Sequence, residues 1–242
     1  MQNIFINKEK VKKNFYNCRL DYEDHALIQK EMAAHLFSKL DNGYHSILEL
    51  GCGLGTYTQY LYKECAFVDY FALDFIPEYQ TIFQYKFPQI NFISFDMDKL
   101  DQLFPSYYFN LITSNASIQW SNDPKKLIHT CMKKLNHNGT LALSFFGDKN
   151  YCEIKDIFNI GLDYFSELDL NEIMNEYTVT YFYQEEKKLH FQNTIDIFRH
   201  IKKTGVGGLM QTYLSKTQCR EYEKKYQNIL TYHPIYLILK NQ

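Results

Sequence analysis

The sequence predicts an α/β protein with a single, largely parallel β-sheet whose strands are joined by helices. Five apolar runs end in polar or glycine residues, and helix-length segments separate them: SILEL (46–50), VDYFALD (68–74), INFISFD (90–96), YFNLITSN (108–115) and TLALSFFG (140–147). Alternation of buried strands with helices is typical of a parallel sheet with crossover connections. The 242 residues, 45% of them hydrophobic, suffice for one sizeable core, and no repeat or low-complexity linker divides the chain. We therefore expect one domain over residues 1–242.

Helices are predicted before and between these strands. Residues 8–40 are predicted to form a helical region, so residues 1–45 are expected to cap the core of the sheet built by residues 46–147. The segment DPKKLIHTCMKKLNHNG (123–139) begins with Asp-Pro, places apolar residues at helical spacing and ends at Gly139. These start and stop signals predict an amphipathic helix between the fourth and fifth strands.

The chain beyond residue 147 follows a different pattern. Residues 151–176 look helical with no strand between them, which predicts an insertion over the sheet. An extended pattern then returns in TVTYFYQEEKKLHF (178–191). Two helices are predicted after it, at 193–205 and 216–228, and TYHPIYLILK (231–240) is predicted to be the last strand. Residues 148–230 therefore carry the insertion, a sixth strand and helices on the substrate side, and residues 231–242 return to the sheet as a seventh strand.

Composition and charge exclude several classes of protein. A formal net charge of -2 provides no basic surface for tracking a phosphate backbone, which argues against a nucleic-acid partner. The N-terminal residues lack a signal-peptide core, and no stretch approaches the roughly 18 apolar residues needed to span a bilayer. We therefore expect a cytoplasmic protein with no membrane partner. Six cysteines without CxxC or Cys/His spacing predict free thiols and no metal site.

Glycines and acids follow the predicted strands at the edge of the sheet where ligands bind. The first strand runs into ILELGCGLGT (47–56), which carries Glu49 and the glycines Gly51, Gly53 and Gly55. The next three strands end in Asp74, 23 residues after Gly51, in Asp96 and Met97, and in Ser114 and Asn115. Acids at two successive strand ends predict a bound nucleoside, with Asp74 accepting hydrogen bonds from the ribose hydroxyls and Asp96 close to the adenine.

The spacing of the glycines separates two kinds of nucleotide ligand. A dinucleotide fingerprint reads G-x-G-x-x-G, whereas Thr56 occupies the place of its third glycine and the glycines here run G-x-G-x-G. An acid such as Glu49 would repel a pyrophosphate and attract a cationic amino-acid group. The pattern therefore favours S-adenosylmethionine, whose amino group and sulfonium are positive, over a dinucleotide.

Four motifs resemble, in order and spacing, those of class I S-adenosylmethionine-dependent methyltransferases: ILELGCGLGT (47–56), ALD (72–74), FDMD (95–98) and LITSNASIQW (111–120). The resemblance covers about residues 45–147. It implies a Rossmann-like seven-stranded sheet of order 3-2-1-4-5-7-6 with the last strand antiparallel, in agreement with the late run TYHPIYLILK. Asn110 departs from the aspartate common in the family, at a position that faces structure rather than ligand. The cofactor-binding residues it implies are Glu49, Gly51, Gly53, Asp74, Phe75, Asp96, Met97 and Asn115.

Two further stretches extend the resemblance over nearly the whole chain. VKKNFYNCRLDYEDHALIQKEMAAHL (11–36) and DIFRHIKKTGVGG (196–208), with SNASIQW, look like malonyl-[acyl-carrier protein] O-methyltransferases of biotin synthesis. This resemblance implies methylation of the free carboxylate of malonyl-acyl carrier protein, whose methyl ester then enters elongation toward a pimeloyl thioester. SNASIQW is also similar to trans-aconitate methyltransferases, so a free small acid stays open as the acceptor. The choice between carrier protein and coenzyme A stays open as well.

The chemistry implied by the resemblance needs no general base, because a carboxylate with a pKa near 4 is already ionised at neutral pH. We therefore expect no acid or base catalyst and S-adenosylhomocysteine as the product. The implied substrate contacts are Tyr22, His25, Trp120 and Arg199, with the planar fork of Arg199 holding the carboxylate by two parallel hydrogen bonds. An acidic carrier protein could dock on one of the lysine pairs Lys187–Lys188, Lys202–Lys203 and Lys224–Lys225.

Structural roles compete with several of these assignments. Asp96 could cap the segment that follows it, Glu49 could anchor the glycine loop, and Arg199 could form a surface ion pair with Asp196. Tyr22 and His25 could lie on a solvated helix face. A protein that binds the cofactor without catalysing transfer is a further alternative.

Overall fold

A seven-stranded β-sheet forms the centre of the structure, a computed structural model that describes residues 6–206 and 214–242. The strands of the protein are β1 Ser46–Leu50, β2 Asp69–Asp74, β3 Asn91–Ser94, β4 Phe109–Asn115, β5 Leu135–Phe146, β6 Thr178–Gln184, β7 Lys187–His190, β8 Ile229–Tyr232 and β9 Pro234–Lys240. The main sheet has the order β3-β2-β1-β4-β5-β9-β6, in which β9 runs antiparallel to both neighbours and the other pairs are parallel. The predicted fold class and strand order are confirmed.

Helices cover both faces and the carboxyl edge of this sheet. They are α1 Lys8–Cys18, α2 Tyr22–His25, α3 Leu27–Phe37, α4 Thr58–Glu64, α5 Gln80–Lys86, α6 Pro124–Lys133, α7 Cys152–Phe158, α8 Glu167–Glu176, α9 Thr194–Lys203 and α10 Lys216–Tyr226. None of the helices in the described parts of the chain is long and apolar enough to cross a membrane.

Burial on both faces explains why the strands read as continuous apolar runs. Side chains of successive strand residues point to opposite faces, so Ile47 belongs to one buried cluster and Leu48 to another. The first cluster contains α3, α4, α9 and α10 side chains, and the second contains the apolar face of α6. Every residue of β1 is buried, which fixes the central strand and the glycine loop that follows it.

Two predicted boundaries are wrong, and both errors arise where tertiary pairing overrides local pattern. The helix predicted to reach Gly139 ends at Lys133. The fifth strand, predicted to begin at residue 140, begins at Leu135, which pairs with Phe109. The backbone of Asn138 and Gly139 also exchanges hydrogen bonds with Asn241, near the C-terminus. Such a long-range partner cannot be seen in the local sequence.

The insertion and the last two predicted strands are each divided in two. Residues 151–176 form α7 and α8, because Asn159 ends α7 in the left-handed conformation and Ser166 begins α8 with a capping box to Asp169. The predicted sixth strand is β6 plus β7, and the predicted seventh is β8 plus β9. Of these four, β6 and β9 belong to the main sheet, whereas β7 and β8 pair with each other in a small antiparallel sheet outside it.

The N-terminal helices lie over the carboxyl ends of the central strands. Buried side chains of α3, among them Met32 and Leu36, join the core, and α3 packs against β4 and β5. Side chains of α1, α2 and α3 thereby face the residues that follow β1, β2 and β4 across an open space. The predicted cap thus forms one wall of the candidate site.

Candidate functional site

Three connected hollows lie at the carboxyl edge of the sheet. The central cleft, with about 820 Å³ of empty space that includes open solvent, is lined by residues including Gly51, Gly53, Asp74, Phe75 and Asn115. The Asp96 pocket, about 370 Å³, adjoins it and shares Gly51, Asp74, Phe75, Met97 and Trp120. The Tyr164 pocket, about 320 Å³, also adjoins the central cleft and shares Phe15, Tyr22, Gln29, Ala116 and Trp120 with it.

The glycine loop is held by hydrogen bonds to the end of β2. The amides of Gly51 and Cys52 both donate to the carbonyl of Leu73, at 2.8 and 3.0 Å. Gly51 has φ +69°, and a Cβ at this position would lie 2.4 Å from the side chain of Ser117. A residue with a side chain would therefore be strained and would collide with the loop after β4. Glycine lets two strand ends approach each other at the floor of the cleft.

Asp74 ties the glycine loop to the segment that follows β2. Its side chain is 7% exposed, and its two oxygens accept from the amides of Gly53 and Ile76, each at 2.9 Å. Burial raises the pKa of this carboxyl to about 6, against the lowering effect of those amides. A buried acid with unused lone pairs therefore faces the central cleft.

Glu49 combines a position on the cleft with a structural role. The residue is almost fully buried, and one carboxylate oxygen accepts from Thr58 Oγ1 at 2.8 Å and from Tyr70 Oη at 2.5 Å. Burial raises its pKa to about 7, although both hydroxyls act in the opposite direction. These bonds tie Glu49 to the start of α4 and to β2 rather than to the glycine loop that it was considered to anchor, and the residue also lines the central cleft.

Asn115 connects the end of β4 to the N-terminal cap. Its Nδ2 donates to the carbonyl of Gln29 on α3 at 3.1 Å, and its Oδ1 accepts from Ser144 Oγ at 2.6 Å. The side chain of Gln29 is buried and lines both the central cleft and the Tyr164 pocket. These contacts place α3 directly over the strand ends.

Asp96 has both a capping bond and an ion pair. Its Oδ1 accepts from the amide of Asp98 at 3.0 Å, which caps the short helical turn beginning at Met97. The same oxygen pairs with the ammonium of Lys8 on α1, which also contacts Asp98 at 2.6 Å. The capping alternative is thus observed, while the side chain lines the Asp96 pocket between Phe95 and Met97.

Trp120 and Tyr22 stand where the hollows meet. Trp120 is the single tryptophan of the chain and lines all three hollows. It packs edge-on against Phe15 of α1, with ring centroids 5.3 Å apart. Tyr22 lines the central cleft and the Tyr164 pocket, and burial together with nearby Asp74 raises the pKa of its phenol. The structure thus brings both predicted side chains to the hollows.

The structure corrects the expected positions of Arg199 and His25. The Arg199 side chain is 70% exposed on α9 and pairs with Asp196 at 2.8 Å, so it lies at the surface and outside the described linings of the three hollows. His25 is half-buried and its Nε2 lies 3.0 Å from Lys203 Nζ, again away from those linings. The buried face of α9 is formed by Thr194, Ile197 and Ile201, which turns residue 199 toward solvent. Of the TGVGG stretch, Gly207 and Gly208 lie outside the described residues.

Several residues of the hollows were not anticipated. Arg19, at the end of α1, lines the central cleft while its guanidinium donates to the carbonyl of Tyr16 at 2.8 Å. The chain has only three arginines, and this one lies three positions before Tyr22, so the sequence contained a signal that could have marked Arg19 as a site residue. Gln119 and Tyr164 line the Tyr164 pocket, and nothing in the sequence distinguishes Tyr164 from the 20 other tyrosines.

Comparison with known proteins places this geometry in a family. Residues 48–143 match the family model described as a methyltransferase domain. A malonyl-[acyl-carrier protein] O-methyltransferase of Calditerrivibrio nitroreducens is 30% identical, with 94% of this chain and 95% of the relative aligned. The enzyme of that name from Haemophilus influenzae is 31% identical, covering 97% of this chain and 95% of its own. The chain belongs to the malonyl-[acyl-carrier protein] O-methyltransferase family.

A solved structure relates this malonyl-[acyl-carrier protein] O-methyltransferase family member to methyltransferases of known fold. The N-methyltransferase NodS from Bradyrhizobium japonicum WM9, solved in complex with S-adenosyl-L-homocysteine, superposes with a TM-score of 0.51. The alignment covers 87% of this chain and 86% of NodS at 14% identity. At that identity the likeness establishes the fold alone.

Proposed function

We infer that the protein transfers a methyl group from S-adenosylmethionine to the free carboxylate of a malonyl group carried by acyl carrier protein. The near full-length similarity to enzymes of that name supports the reaction. The observation that carries the proposal is that the central cleft joins two side pockets at the shared wall of Trp120. Such an arrangement separates a nucleoside site from an acceptor site and lets the two ligands meet.

The residues of the central cleft fit S-adenosylmethionine. A Cβ at Gly51 would collide with Ser117, whereas Gly53 has open space at the position of a Cβ, and the buried carboxyl of Asp74 accepts from the amide of Gly53. Two acids, Glu49 and Asp74, line this cleft, so it suits a ligand with an ammonium and a sulfonium better than one with phosphates. The bound cofactor supplies an activated methyl group.

Each wall of the cleft has a separate task in this proposal. Asp74 accepts from the ribose hydroxyls, and the Asp96 pocket, with Phe75 and Met97 on its walls, takes the adenine. The backbone at Gly51 and Gly53, with Asn115, borders the amino-acid part of the cofactor. Tyr22 and Trp120 border the Tyr164 pocket, which takes the acceptor.

The residues act by position rather than by moving a proton. The acceptor carboxylate is ionised at neutral pH, so the reaction needs alignment of oxygen, methyl and sulfur and exclusion of water. The N-terminal helices supply that cover through Phe15, Tyr22 and Gln29. In the biotin pathway the methyl ester would then serve as the primer for synthesis of a pimeloyl chain.

A transfer assay with three acceptors tests the proposal. Protein and S-adenosylmethionine labelled in the methyl group are incubated with malonyl-acyl carrier protein, malonyl-coenzyme A or trans-aconitate, and base-labile label is counted on each. We expect the highest kcat/KM for malonyl-acyl carrier protein. Preferred labelling of trans-aconitate would show that a free small acid is the substrate. Cofactor binding without label on any acid would contradict the proposed methyl transfer.

A further inference from the structure

The Tyr164 pocket is uncharged in the part of the chain that the structure describes. Its lining consists of apolar, amide and hydroxyl side chains, with no lysine, arginine, histidine or acid among the described residues. The segment 207–213, GGLMQTY, contains no basic residue in its sequence. Arg199, the cation predicted to hold the acceptor, lies at the surface. Arg19 lines the adjoining central cleft and not this pocket, and its guanidinium donates to the carbonyl of Tyr16, so the acceptor carboxylate needs another holder within the pocket.

A chain of hydrogen bonds makes the Tyr164 hydroxyl an acceptor toward Asn150. The amide of His233 donates to Asn150 Oδ1 at 3.3 Å, so the other side-chain atom of Asn150 is its Nδ2 donor. That Nδ2 donates to Tyr164 Oη at 2.8 Å. Because Tyr164 Oη accepts this bond, its own hydrogen must be donated to a different partner. Asn150 is buried, while Tyr164 is half-buried at the wall of the pocket.

We propose that the Tyr164 hydroxyl donates to the malonyl carboxylate in this uncharged pocket, and that the positive charge of the cofactor replaces a protein cation as its counter-charge. The inference rests on the proposed function and adds the means by which that site holds its substrate. Tyr22 and Trp120, shared by the pocket and the central cleft, lie between the two ligands.

The charge balance of the transfer explains why a neutral pocket suits it. The bond from methyl carbon to sulfur breaks with its electron pair left on sulfur, and a carboxylate lone pair forms the new bond from oxygen to that carbon. The positive sulfonium and the negative carboxylate both become neutral. A fixed arginine would stabilise the carboxylate more than the transition state and would raise the barrier. A hydroxyl in an uncharged wall orients the oxygen with less of that effect.

Binding to two cofactor analogues tests the counter-charge. Malonyl-pantetheine is titrated calorimetrically into wild-type protein saturated with sinefungin, which carries an amine in place of the sulfonium, or with S-adenosylhomocysteine, which is neutral there. We expect at least about tenfold tighter binding to the sinefungin complex, because an opposite charge a few ångström away attracts the carboxylate strongly in a pocket that has no charged side chain among its described lining residues. Equal affinities would overturn the inference.

A tyrosine variant with a matched control tests the hydroxyl. Tyr164→Phe should weaken malonyl-pantetheine binding to the sinefungin complex by about 10- to 100-fold, the range for one hydrogen bond to a charged group, while sinefungin affinity stays unchanged. Tyr226→Phe removes a hydroxyl that bonds Asp156 on the surface and should leave both affinities unchanged. Equal binding by Tyr164→Phe and wild type would exclude Tyr164 as the holder.

These binding tests separate failure of the inference from failure of the proposed function. If wild-type protein methylates malonyl-acyl carrier protein and neither the analogue nor the variant alters malonyl affinity, the inference is wrong and the proposed function stands. If malonyl-acyl carrier protein acquires no methyl group, the proposed function is wrong, and the inference about its carboxylate is wrong with it.

Discussion

At the scale of single residues, Asp74 shows how structural and binding roles coincide in one side chain. It fixes the glycine loop through Gly53 and the following turn through Ile76, and it faces the central cleft. A ribose bound here would use lone pairs that the backbone amides leave unused. Loss of the carboxylate should therefore affect both the loop and the ligand.

We predict that Asp74→Ala lowers S-adenosylmethionine affinity by at least about tenfold, since hydrogen bonds to a charged acceptor contribute about 1.5–3 kcal/mol. Titration calorimetry measures the affinity directly. Asp69→Ala is the matched control, because Asp69 is the same residue type at the opposite end of β2, where it accepts from Tyr107. Unchanged affinity in Asp74→Ala would remove this residue from the site, and wild-type protein should show no measurable NADH binding.

The second prediction at this scale concerns the effect of Glu49 on how folding stability depends on pH. Its pKa is raised by burial from 4.5 to about 7, so between these values the folded state binds a proton that the unfolded state has lost. Stability contributed by this group therefore falls as pH rises through that window. Glu49→Gln keeps an oxygen acceptor for Tyr70 and Thr58 and cannot ionise. The variant should gain on the order of 3 kcal/mol relative to wild type at pH 7.5 and little at pH 4.5.

Denaturant titrations of both proteins at several pH values measure this difference. Asp74, whose pKa is also raised, contributes a slope of the same sign in both proteins, so that only its Coulombic interaction with Glu49 differs between them. Parallel stability curves for Glu49→Gln and wild type between pH 4.5 and 7.5 would show that Glu49 ionises normally in the folded state.

At the scale of elements, helix α1 is fastened beside the Asp96 pocket. Lys8 bridges Asp96 and Asp98, the amide of Ile6 donates to Asn122 Oδ1 at 3.1 Å, and Asn122 in turn donates to Asp98. Phe15 at the other end of α1 packs on Trp120. The helix therefore covers the predicted adenine and acceptor sites with contacts at both ends.

We predict that Lys8→Met speeds dissociation of S-adenosylmethionine several-fold, because partly exposed ion pairs contribute about 1 kcal/mol or less. Trp120, the single tryptophan, borders every hollow and provides a fluorescence signal for stopped-flow measurement. Lys13→Met, an exposed lysine of the same helix, is the control. A dissociation rate that is equal in the three proteins would mean that α1 does not retain the cofactor.

The elements also show what a sequence can predict here. Strand order and the glycine loop follow from repeated apolar runs and from the glycines after β1, because these patterns are local. The early end of α6 and the separate β7–β8 pair depend on partners far along the chain, so local pattern missed them. The position of Arg199 was predictable, since the apolar spacing of Ile197 and Ile201 already turns it outward. Tyr164 was not, because its hydroxyl is directed by Asn150, 14 residues away.

At the scale of the whole molecule, the surroundings of the lysine pairs separate one candidate docking surface from the others. Lys187 pairs with Glu31 and Glu185, and Lys225 pairs with Asp156, so acids partly neutralise both regions. Lys202 and Lys203 are exposed at the end of α9, and the next described residues, Thr204 and Val206, line the Tyr164 pocket. Arg199, one turn earlier on the same helix, is paired with Asp196 and is left out of this surface for that reason. We therefore expect the α9 surface, defined as Lys202 and Lys203, to meet an acidic carrier protein at the acceptor entrance.

The last prediction reverses charge on this surface. Lys203→Glu should lower kcat/KM for malonyl-acyl carrier protein by about tenfold at low salt, because like charges then oppose encounter, and should leave malonyl-pantetheine turnover nearly unchanged. Lys133→Glu makes the same charge change on α6, whose apolar face packs on the other side of the sheet, and should match wild type with both substrates. Raising the salt concentration should reduce the gap between Lys203→Glu and wild type, since exposed charges are screened beyond about 8–10 Å. Equal losses in the two lysine variants would point to net charge alone, and no loss in either would place the carrier protein on another surface.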